Sequence, residues 1–443
     1  MRRRVHRAKA RQSAGQTRTH PAARRQTLLI VHASELLTLR RQGDRPRTGE
    51  TMRDLSIIYD GAVLVRSGRV QAVGETSEIA RRYGRAVHTI DATGKVVMPG
   101  IVDPHTHAAF AGSRHEEVAM KAEGLSYAEI AARGGGILKT VRDTRAASRE
   151  VLAASTRRRL DGMLRSGTTT VEVKSGYGLT VESELLILQV INDLARAHPI
   201  GVVPTFMGAH AIPPEYNGRP DAYVDLLLDS MIPAVARSGT ARFCDVWVED
   251  GYFTADHARR IFTAAKKVGM AAKLHADELS DTGGAALAAD IGATSADHLV
   301  HASDDGLRAM AEAGVVAVLL PGASFGSRIP YADARRIIQA GVPVALGTDC
   351  SPASWTESMQ WILALAAHYL GMRPDEAITA ATANAAHAIG LGKEIGTIEP
   401  GKQADLLVVD VPTHGHLGYR VASNHVETVI KAGRIVVDRT ASC

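Results

Sequence analysis

Eight short apolar runs alternate with helix-like segments through the middle of this 443-residue chain. The β-branched runs are KVVMPGIVDPHTH, TTTVEVKSG, GVVPTFMGAHA, RFCDVWVED, AAKLHADE, ATSADHLVH, VVAVLLPG and PVALGTDCSP. Segments with the helical period, such as VESELLILQVINDLARA, separate most of them. Eight such repeats over about 250 residues predict an α/β fold, a (β/α)8 TIM-like barrel. A doubly wound open sheet is the alternative, disfavoured because no GxGxxG follows the first strand.

Both ends of the chain have a different pattern. Residues 26–98 contain short alternating runs such as TLLIVHA and GAVLVRSGRVQAVG, and residues 395–443 contain GKQADLLVVD and VETVIKAGRIVVD. Alternating runs separated by Gly and Asp predict antiparallel strands. We therefore expect a small flanking β-sandwich domain built from both chain ends, residues 26–98 together with 395–443. Residues 99–394 would form the barrel.

The basic character of the chain comes from its first 25 residues. Residues 1–25 hold eight Arg and one Lys and no acidic residue, so the remainder has a formal net charge of −4, against +5 for the whole chain. Such a polar segment cannot bury a core, and we interpret it as a disordered extension, an incorrectly assigned start or a transit peptide. The mildly acidic remainder gives no indication of a nucleic-acid partner.

Apolar run length and cysteine content bear on location. No uninterrupted run of about 18 apolar residues occurs, so we expect neither a transmembrane helix nor a membrane partner. The three cysteines, Cys244, Cys350 and Cys443, lack CxxC spacing. An odd number without such spacing is typical of a reducing compartment, and we expect a cytoplasmic protein.

Polar residues fall at the ends of the predicted barrel strands, where barrel enzymes carry their chemistry. His105 and His107 stand at the end of the first run, His275 lies in the fifth, His298 in the sixth and Asp349 in the eighth. Residues two apart on an extended strand project from the same side and can bind one ion. Imidazoles combined with a carboxylate suit zinc or iron. The combination therefore predicts a metal site, which a lone HxH would indicate only weakly.

Such a site can support hydrolysis. Three His and one Asp leave a position for water, whose pKa falls to about 7 when it is bound to zinc. His298 and Glu278 could then act as acid and base, removing a proton from the water and protonating a leaving nitrogen. Alternatively, these two residues orient the metal ligands.

The pattern of HxH on strand one, His on strands five and six and Asp on strand eight resembles the mononuclear amidohydrolase superfamily. Within it, HTHAAFAGSR, LSYAEIAARGGGI, VEVKSGYGLTVESE, FMGAHAIPPEY, HADELSDTGGAALAA and SADHLVH resemble the imidazolonepropionase family, over about residues 27 to 436. That family opens the lactam ring of 4-imidazolone-5-propionate to N-formimino-L-glutamate in histidine degradation. The resemblance implies this activity, one Zn²⁺ or Fe³⁺ ion per subunit, an anionic small-molecule substrate and a homodimer.

The resemblance also implies roles for individual residues. The metal ligands would be His105, His107, His275 and Asp349. The catalytic groups would be Glu278, His298 and Asp349. The substrate contacts would be Arg114, Tyr127, Tyr177, His210, Glu278, Ser351, Ala353 and Ser354. Arg114 suits the propionate carboxylate, although an Arg in this position is often part of a surface ion pair. His210 could donate to the ring carbonyl and stabilise its oxyanion.

Three positions need separate interpretation. Ser351 stands where many family members have Asn, and the loss of the amide predicts altered affinity or selectivity at that edge of the site. Residues 134–136, GGG, lack the Lys-Ser/Thr of a phosphate loop and predict a close-approach turn or hinge instead. Lys174 lies on strand two, the wrong strand for the carbamylated lysine of binuclear relatives, so we expect it to support the structure or the ligands.

Two alternatives to this function follow from the same residues. Another mononuclear cyclic amidohydrolase or a nucleobase deaminase would share the metal pattern but would have little need of Arg114. A non-catalytic scaffold relative would be expected to have lost metal ligands, whereas this chain keeps all four.

Overall fold

The computed structural model of the protein describes residues 27–40, 43–83, 88–125 and 127–440, with only the backbone of Tyr127 and Ala128. The basic segment 1–25 and Cys443 lie outside the described residues. Cys244 and Cys350 are buried free thiols.

The strands of the described chain are β1 (Thr27–Ala33), β2 (Glu35–Leu37), β3 (Ile57–Ile58), β4 (Gly61–Arg66), β5 (Arg69–Glu75), β6 (His88–Asp91), β7 (Val96–Pro99), β8 (Ile101–Asp103), β9 (Thr168–Lys174), β10 (Gly201–Ala209), β11 (Phe243–Val248), β12 (Ala271–Ala276), β13 (Ser295–His298), β14 (Val316–Leu319), β15 (Val344–Leu346), β16 (Leu406–Val409), β17 (Val426–Lys431) and β18 (Arg434–Asp438).

The α-helices are α1 (Thr76–Tyr83), α2 (Glu117–Ala122), α3 (Tyr127–Ala132), α4 (Gly136–Ala146), α5 (Arg149–Arg165), α6 (Val181–Ala197), α7 (Pro220–Leu226), α8 (Ile232–Ser238), α9 (Ala255–Lys267), α10 (Gly284–Ile291), α11 (Asp304–Ala313), α12 (Pro321–Ser327), α13 (Ala334–Gln339), α14 (Met359–Tyr369), α15 (Pro374–Ala381), α16 (Ala383–Ala388) and α17 (His416–Tyr419). Short 3₁₀ turns lie at Gly49–Arg53 and Pro214–Tyr216, and a π-helical turn lies at Leu227–Met231. Among the described helices, none is long and apolar enough to cross a membrane.

Strands β8 to β15 form one parallel sheet in chain order, with helices between successive strands. The first and last strands meet just beyond their ends, where Thr106 pairs in parallel with Cys350. His107 N–H donates to the Cys350 carbonyl at 3.0 Å, and Asp349 N–H donates to the His105 carbonyl at 3.1 Å. The predicted (β/α)8 barrel is therefore confirmed, and closure places the HxH segment beside Asp349.

The barrel helices begin and pack as their sequences indicate. Helix α6 begins after Thr180, whose side chain accepts from the Ser183 N–H at 3.2 Å. Its apolar residues at helical spacing, including Leu188 and Ile191, are buried. Helix α9 begins in the same way after Thr254. Such caps satisfy backbone donors that have no partner within the helix.

The chain ends combine in two further sheets. A four-stranded sheet has the order β5-β4-β1-β6, and a six-stranded sheet has the order β18-β17-β16-β7-β2-β3. Ile30 and Val63 of the first sheet share an apolar core with Leu36, Val97 and Leu406 of the second. The flanking β-sandwich is therefore present and also carries helix α1; the exact domain boundaries stay a prediction.

The first apolar run, KVVMPGIVDPHTH, contributes one strand to the flanking β-sandwich and one strand to the barrel. β7 pairs with β2 and β16 in the six-stranded sheet, whereas β8 pairs with β9 in the barrel. Gly100 lies at the division, and a Cβ atom there would approach the Thr169 side chain to 2.3 Å. Only glycine fits this crossing point, which explains why a continuous apolar run contains a break.

Candidate metal centre and active site

Four donor atoms converge at the carboxyl ends of the barrel strands. His107 Nε2 lies 3.2 Å from His275 Nε2. Asp349 Oδ1 lies 3.6 Å from both His105 Nε2 and His107 Nε2. Ligands of a tetrahedral ion with bonds of about 2.1 Å are separated by about 3.4 Å, so these spacings fit a small metal ion. The group of His105, His107 and His275 is fully buried.

Buried carboxylates orient two of the imidazoles. His105 Nδ1 lies 2.6 Å from Asp297 Oδ2, and His275 Nδ1 lies 2.9 Å from Asp245 Oδ1. A carboxylate oxygen accepts a hydrogen bond, so each ring holds its hydrogen on Nδ1 and presents an Nε2 lone pair. His105 Nε2 has no hydrogen-bond partner among the described residues. Two lone pairs that face a common point are suited to binding a cation.

The electrostatics of the ligands agree with this assignment. Burial lowers the pKa of His105, His107 and His275 well below the ordinary value, which keeps the three rings neutral. Burial, with a further contribution from Glu278, raises the pKa of Asp349 well above its ordinary value. A cation between the ligands would favour the ionised carboxylate and supply the missing positive charge.

Two residues of the candidate site have unusual backbone conformations. His298 and Asp349 have positive φ angles of 75° and 48°. Non-glycine residues rarely adopt this conformation, and such strain is found at functional sites, where the surrounding structure holds it. Two of the three predicted catalytic residues, His298 and Asp349, are therefore held in special conformations.

A cavity of about 410 Å³ opens over these atoms. Its wall contains most of the predicted substrate and catalytic residues: Arg114, Tyr177, His210, Glu278, His298, Asp349, Ser351 and Ala353. Ser354 is buried, and its N–H donates to Ser351 Oγ at 3.2 Å. The side chain of Tyr127 lies outside the described part of the structure. The size suits a small molecule.

Arg114 has a protein partner in this cavity. Its Nε and Nη2 donate to the two carboxylate oxygens of Glu117, both at 2.8 Å, and the pair is buried. Glu117 Oε1 also accepts from the Gly136 N–H at 2.8 Å. A Cβ atom on Gly135 would lie 2.9 Å from Glu117 Oε1, so the GGG turn is the predicted close-approach turn. Glu117 therefore fixes the guanidinium and offsets its charge.

His210 differs from the expected oxyanion donor. Its Nδ1 lies 3.1 Å from the Gly176 carbonyl, which can only accept, so Nδ1 carries the hydrogen. Burial lowers the pKa of His210 to about 4, and the ring is neutral at pH 7. Nε2 is then an acceptor, which suits a substrate N–H and cannot donate to a carbonyl oxygen. The sequence could not reveal this, because the Gly176 carbonyl is brought to His210 by the fold.

Glu278 and His298 lie together beside the metal ligands. Glu278 Oε1 lies 3.6 Å from His298 Nδ1. Burial, together with the charge of Glu249, raises the pKa of Glu278 to about 8. Burial lowers the pKa of His298 to about 4. At neutral pH the site therefore holds a protonated carboxylic acid next to a neutral imidazole, a suitable pair for proton donation and acceptance.

Comparisons with known proteins agree with this geometry. The model of the amidohydrolase family matches residues 96–436. An imidazolonepropionase from Symbiobacterium thermophilum is 53% identical over 416 residues, 93% of this chain and 97% of the relative. One from Geobacillus kaustophilus is 49% identical over 415 residues, 93% of this chain and 98% of the relative. The chain belongs to the imidazolonepropionase family of amidohydrolases.

Solved structures show the same architecture at much lower identity. A zinc-bound adenosine deaminase from Xanthomonas campestris has a TM-score of 0.69 and 20% identity, covering 93% of this chain and 93% of its own. At this identity the likeness shows the fold alone. The resemblance found in the sequence is thus confirmed for family and fold, and the chain is an amidohydrolase with a candidate site for one metal ion.

The structure adds site residues that the sequence analysis did not assign. Asp245 and Asp297 orient metal-ligand imidazoles, and Lys121 and Arg328 line the cavity. Lys121 Nζ donates to the Gly326 carbonyl at 2.9 Å, and Arg328 Nη1 donates to the Lys121 carbonyl at 3.0 Å. An acidic residue inside an otherwise apolar barrel strand, as in RFCDVWVED, was the one available signal for Asp245.

Proposed function

We propose that this enzyme hydrolyses the lactam bond of 4-imidazolone-5-propionate and yields N-formimino-L-glutamate in histidine degradation. The observation that carries the proposal is the identity of 53% over 93% of the chain with an imidazolonepropionase. The candidate metal centre at the base of a cavity of about 410 Å³ supports it.

The proposed cofactor is one Zn²⁺ or Fe³⁺ ion, held by His105, His107, His275 and Asp349. Both metals accept three imidazoles and a carboxylate, and their availability decides between them. When bound, the ion polarises the carbonyl and makes water a better nucleophile at neutral pH. Elemental analysis of the purified protein tests the assignment and is expected to give one ion per chain.

The protein groups supply the proton transfers. The water oxygen bonds to the lactam carbonyl carbon while its proton passes to neutral His298 or to Asp349. The ring C–N bond then breaks, and protonated Glu278 gives its proton to the leaving nitrogen. The raised pKa of Glu278, about 8, suits it to be the acid at neutral pH, and the lowered pKa of His298, about 4, keeps that ring able to accept.

Charge and hydrogen bonding would orient the substrate. The propionate carboxylate would lie towards Arg114, where Lys121 and Arg328 add positive charge to the cavity. His210 Nε2 would accept from a ring N–H, and Tyr177 would contribute its hydroxyl. Ser351, Ala353 and Ser354 would contact the other edge, with Tyr127 as a further predicted contact.

The direct test uses metal-loaded protein and freshly generated imidazolone propionate. We expect the imidazolone absorbance to disappear and formiminoglutamate to appear. The absence of turnover by protein that demonstrably holds its metal would reject the proposal, and turnover of guanine or cytosine in its place would support the deaminase alternative. We further propose a cytoplasmic homodimer; light scattering at twice the monomer mass is the expected result, and fractionation tests the location.

A further inference from the structure

Five charged side chains fill the barrel interior beneath the metal ligands. They come from four barrel strands, β9, β11, β12 and β13, and each is completely buried: Glu172, Lys174, Asp245, Lys273 and Asp297. Barrel interiors are usually filled by branched apolar residues. Buried charges are costly unless they are paired, so a cluster of this size in the core requires a specific role.

Lys174 is the centre of this cluster. Its Nζ lies 2.7 Å from Asp245 Oδ2, 2.8 Å from Glu172 Oε1 and 3.8 Å from Asp297 Oδ2. Its backbone N–H donates at 2.9 Å to the carbonyl of Thr106, the residue between the two His of the HxH pair. The side chain and the backbone of Lys174 therefore both reach groups next to metal ligands.

The two aspartates join Lys174 to the ligands. Asp245 accepts from His275 Nδ1 through one oxygen and from Lys174 through the other. Asp297 Oδ2 accepts from His105 Nδ1 at 2.6 Å and faces Lys174. The Lys174 ammonium group therefore lies next to both carboxylates that orient imidazoles of the candidate metal site.

We propose that Lys174 is the positioning residue of the metal centre. It holds Asp245 by a direct hydrogen bond and, together with Lys273, supplies the positive charge that faces Asp297. These carboxylates then fix the Nδ1–H form of His275 and His105 and direct both Nε2 atoms at the ion. The inference rests on the proposed metal-dependent function but does not depend on the identity of the substrate.

Lys273 faces Asp297 at the same distance as Lys174 but hydrogen-bonds to the backbone instead of to Asp245. Its Nζ donates to the Pro104 carbonyl at 2.7 Å and lies 3.8 Å from both Glu172 and Asp297. Lys174 has two close carboxylates. Burial by itself would lower the pKa of Lys174, but Asp245, Glu172 and Asp297 outweigh it and raise that pKa above its ordinary value. The ammonium therefore stays charged in the core.

Glu172 provides a matched control. Its Oε1 contacts Lys174, Lys273 and the Thr205 hydroxyl, and none of these is a metal ligand. Replacing Glu172 changes the charge of the cluster without touching the carboxylates that orient His105 and His275. The double variant K174M/E172Q removes one charge of each sign, which avoids the unbalanced charge that K174M alone leaves in the core.

The test compares wild type, E172Q, K174M and K174M/E172Q as full-length proteins. The measurements are the rate of metal loss to a chelator, the visible spectrum of the cobalt(II)-loaded protein and the thermal unfolding midpoint of the metal-free protein. We expect E172Q to lose metal within about threefold of the wild-type rate. K174M and K174M/E172Q should lose it roughly 10- to 100-fold faster, with an altered cobalt spectrum, because Asp245 loses its ammonium partner and can no longer hold His275 in place.

The double variant separates positioning from stability. We expect its unfolding midpoint to recover towards wild type while its metal loss stays fast. Recovery of both would overturn the inference, since Lys174 would then act only through charge balance. If chains carrying Lys174→Met do not fold, Lys174→Gln, which keeps a polar side chain but removes the charge, is compared in the same way, and wild-type metal retention would contradict the proposal.

These readouts need no substrate. A wild-type protein that holds its ion but does not open imidazolone propionate would reject the proposed function and leave the metal-loss comparison intact. Conversely, if the wild-type enzyme is active and K174M/E172Q retains metal as well as the wild type does, only the proposed role of Lys174 is rejected and the proposed function stands.

Discussion

The substitution Arg114→Met tests how the enzyme recognises an anionic substrate. Methionine keeps an unbranched apolar stem of similar reach and removes the guanidinium donors. In the structure the guanidinium is buried in the wall of the cavity and is held by two 2.8 Å hydrogen bonds that it donates to Glu117. A fixed cation of this kind can bind the propionate with little loss of side-chain entropy.

The expected size of the effect follows from one charge-assisted contact. A hydrogen bond to a charged group contributes about 1.5–3 kcal/mol, so its loss corresponds to roughly a 10- to 150-fold rise in KM. We expect kcat to change much less, because the carboxylate is remote from the lactam bond that breaks. Burial by itself would raise the pKa of Glu117, but Arg114 holds that pKa below its ordinary value. R114M therefore also leaves a carboxylate without its partner.

The double variant R114M/E117Q controls for this side effect. It removes both charges of the pair, so that the KM change reports the lost substrate contact rather than repulsion from Glu117. The amide oxygen that E117Q introduces can still accept from the Gly136 N–H, which in the wild type donates to Glu117 Oε1 at 2.8 Å. We expect the KM of the double variant to lie below that of R114M and still at least tenfold above wild type.

The assay follows turnover of imidazolone propionate and of its methyl ester, which lacks the negative charge. The wild type should prefer the acid, and R114M/E117Q should treat the two compounds nearly alike, as expected when one partner of a contact is already missing. An equal loss on acid and ester would refute the assignment, because Arg114 would then support the cavity without binding the carboxylate.

Further predictions concern the metal centre and proton transfer. His105→Ala should lose metal and activity together, with an unchanged circular dichroism spectrum; retained turnover would contradict the ligand assignment. In the proposed mechanism protonated Glu278 is the acid, so wild-type kcat should be highest below the pKa of Glu278, about 8, and fall as pH rises through it. Glu278→Gln should reduce kcat about 10²- to 10⁴-fold and lack that limb; an unchanged limb would show that another group titrates. Removal of the ion by a chelator should abolish turnover, and zinc or iron should restore it; activity of the metal-free enzyme would exclude the proposed cofactor.

Much of the architecture was accessible from local sequence pattern. Apolar runs of β-branched residues alternating with helical segments are properties of neighbouring residues, and they predicted the barrel correctly. The polar residues at strand ends were predictable for the same reason, since a barrel places those ends on one face. The predicted boundary at residues 98/99 falls inside KVVMPGIVDPHTH, but the sequence could not show why a glycine stands at position 100, because the steric demand there comes from Thr169, which is remote in sequence.

Other features of the site depend on barrel closure and burial. Asp349 reaches His105 only because the first and last strands pair beyond their ends, at Thr106 and Cys350. The pairing of Arg114 with Glu117 spans three residues, but its burial is produced by the surrounding fold. Sequence periodicity predicts which face of a strand or helix a residue occupies, but it does not predict which distant group the side chain will contact.

The sequence by itself therefore determined the fold class, the family and the set of candidate metal-binding side chains, because these follow from local spacing and residue type. The tertiary structure alone decided the protonation states and partners on which the chemistry depends. The hydrogen bond to the Gly176 carbonyl leaves His210 Nε2 as an acceptor, and burial keeps the Glu278 carboxyl protonated at neutral pH. Lys174 contacts Asp245, which lies 71 residues further along the sequence. Desolvation and long-range charge are sums over the whole packed core, and no local stretch of sequence contains them.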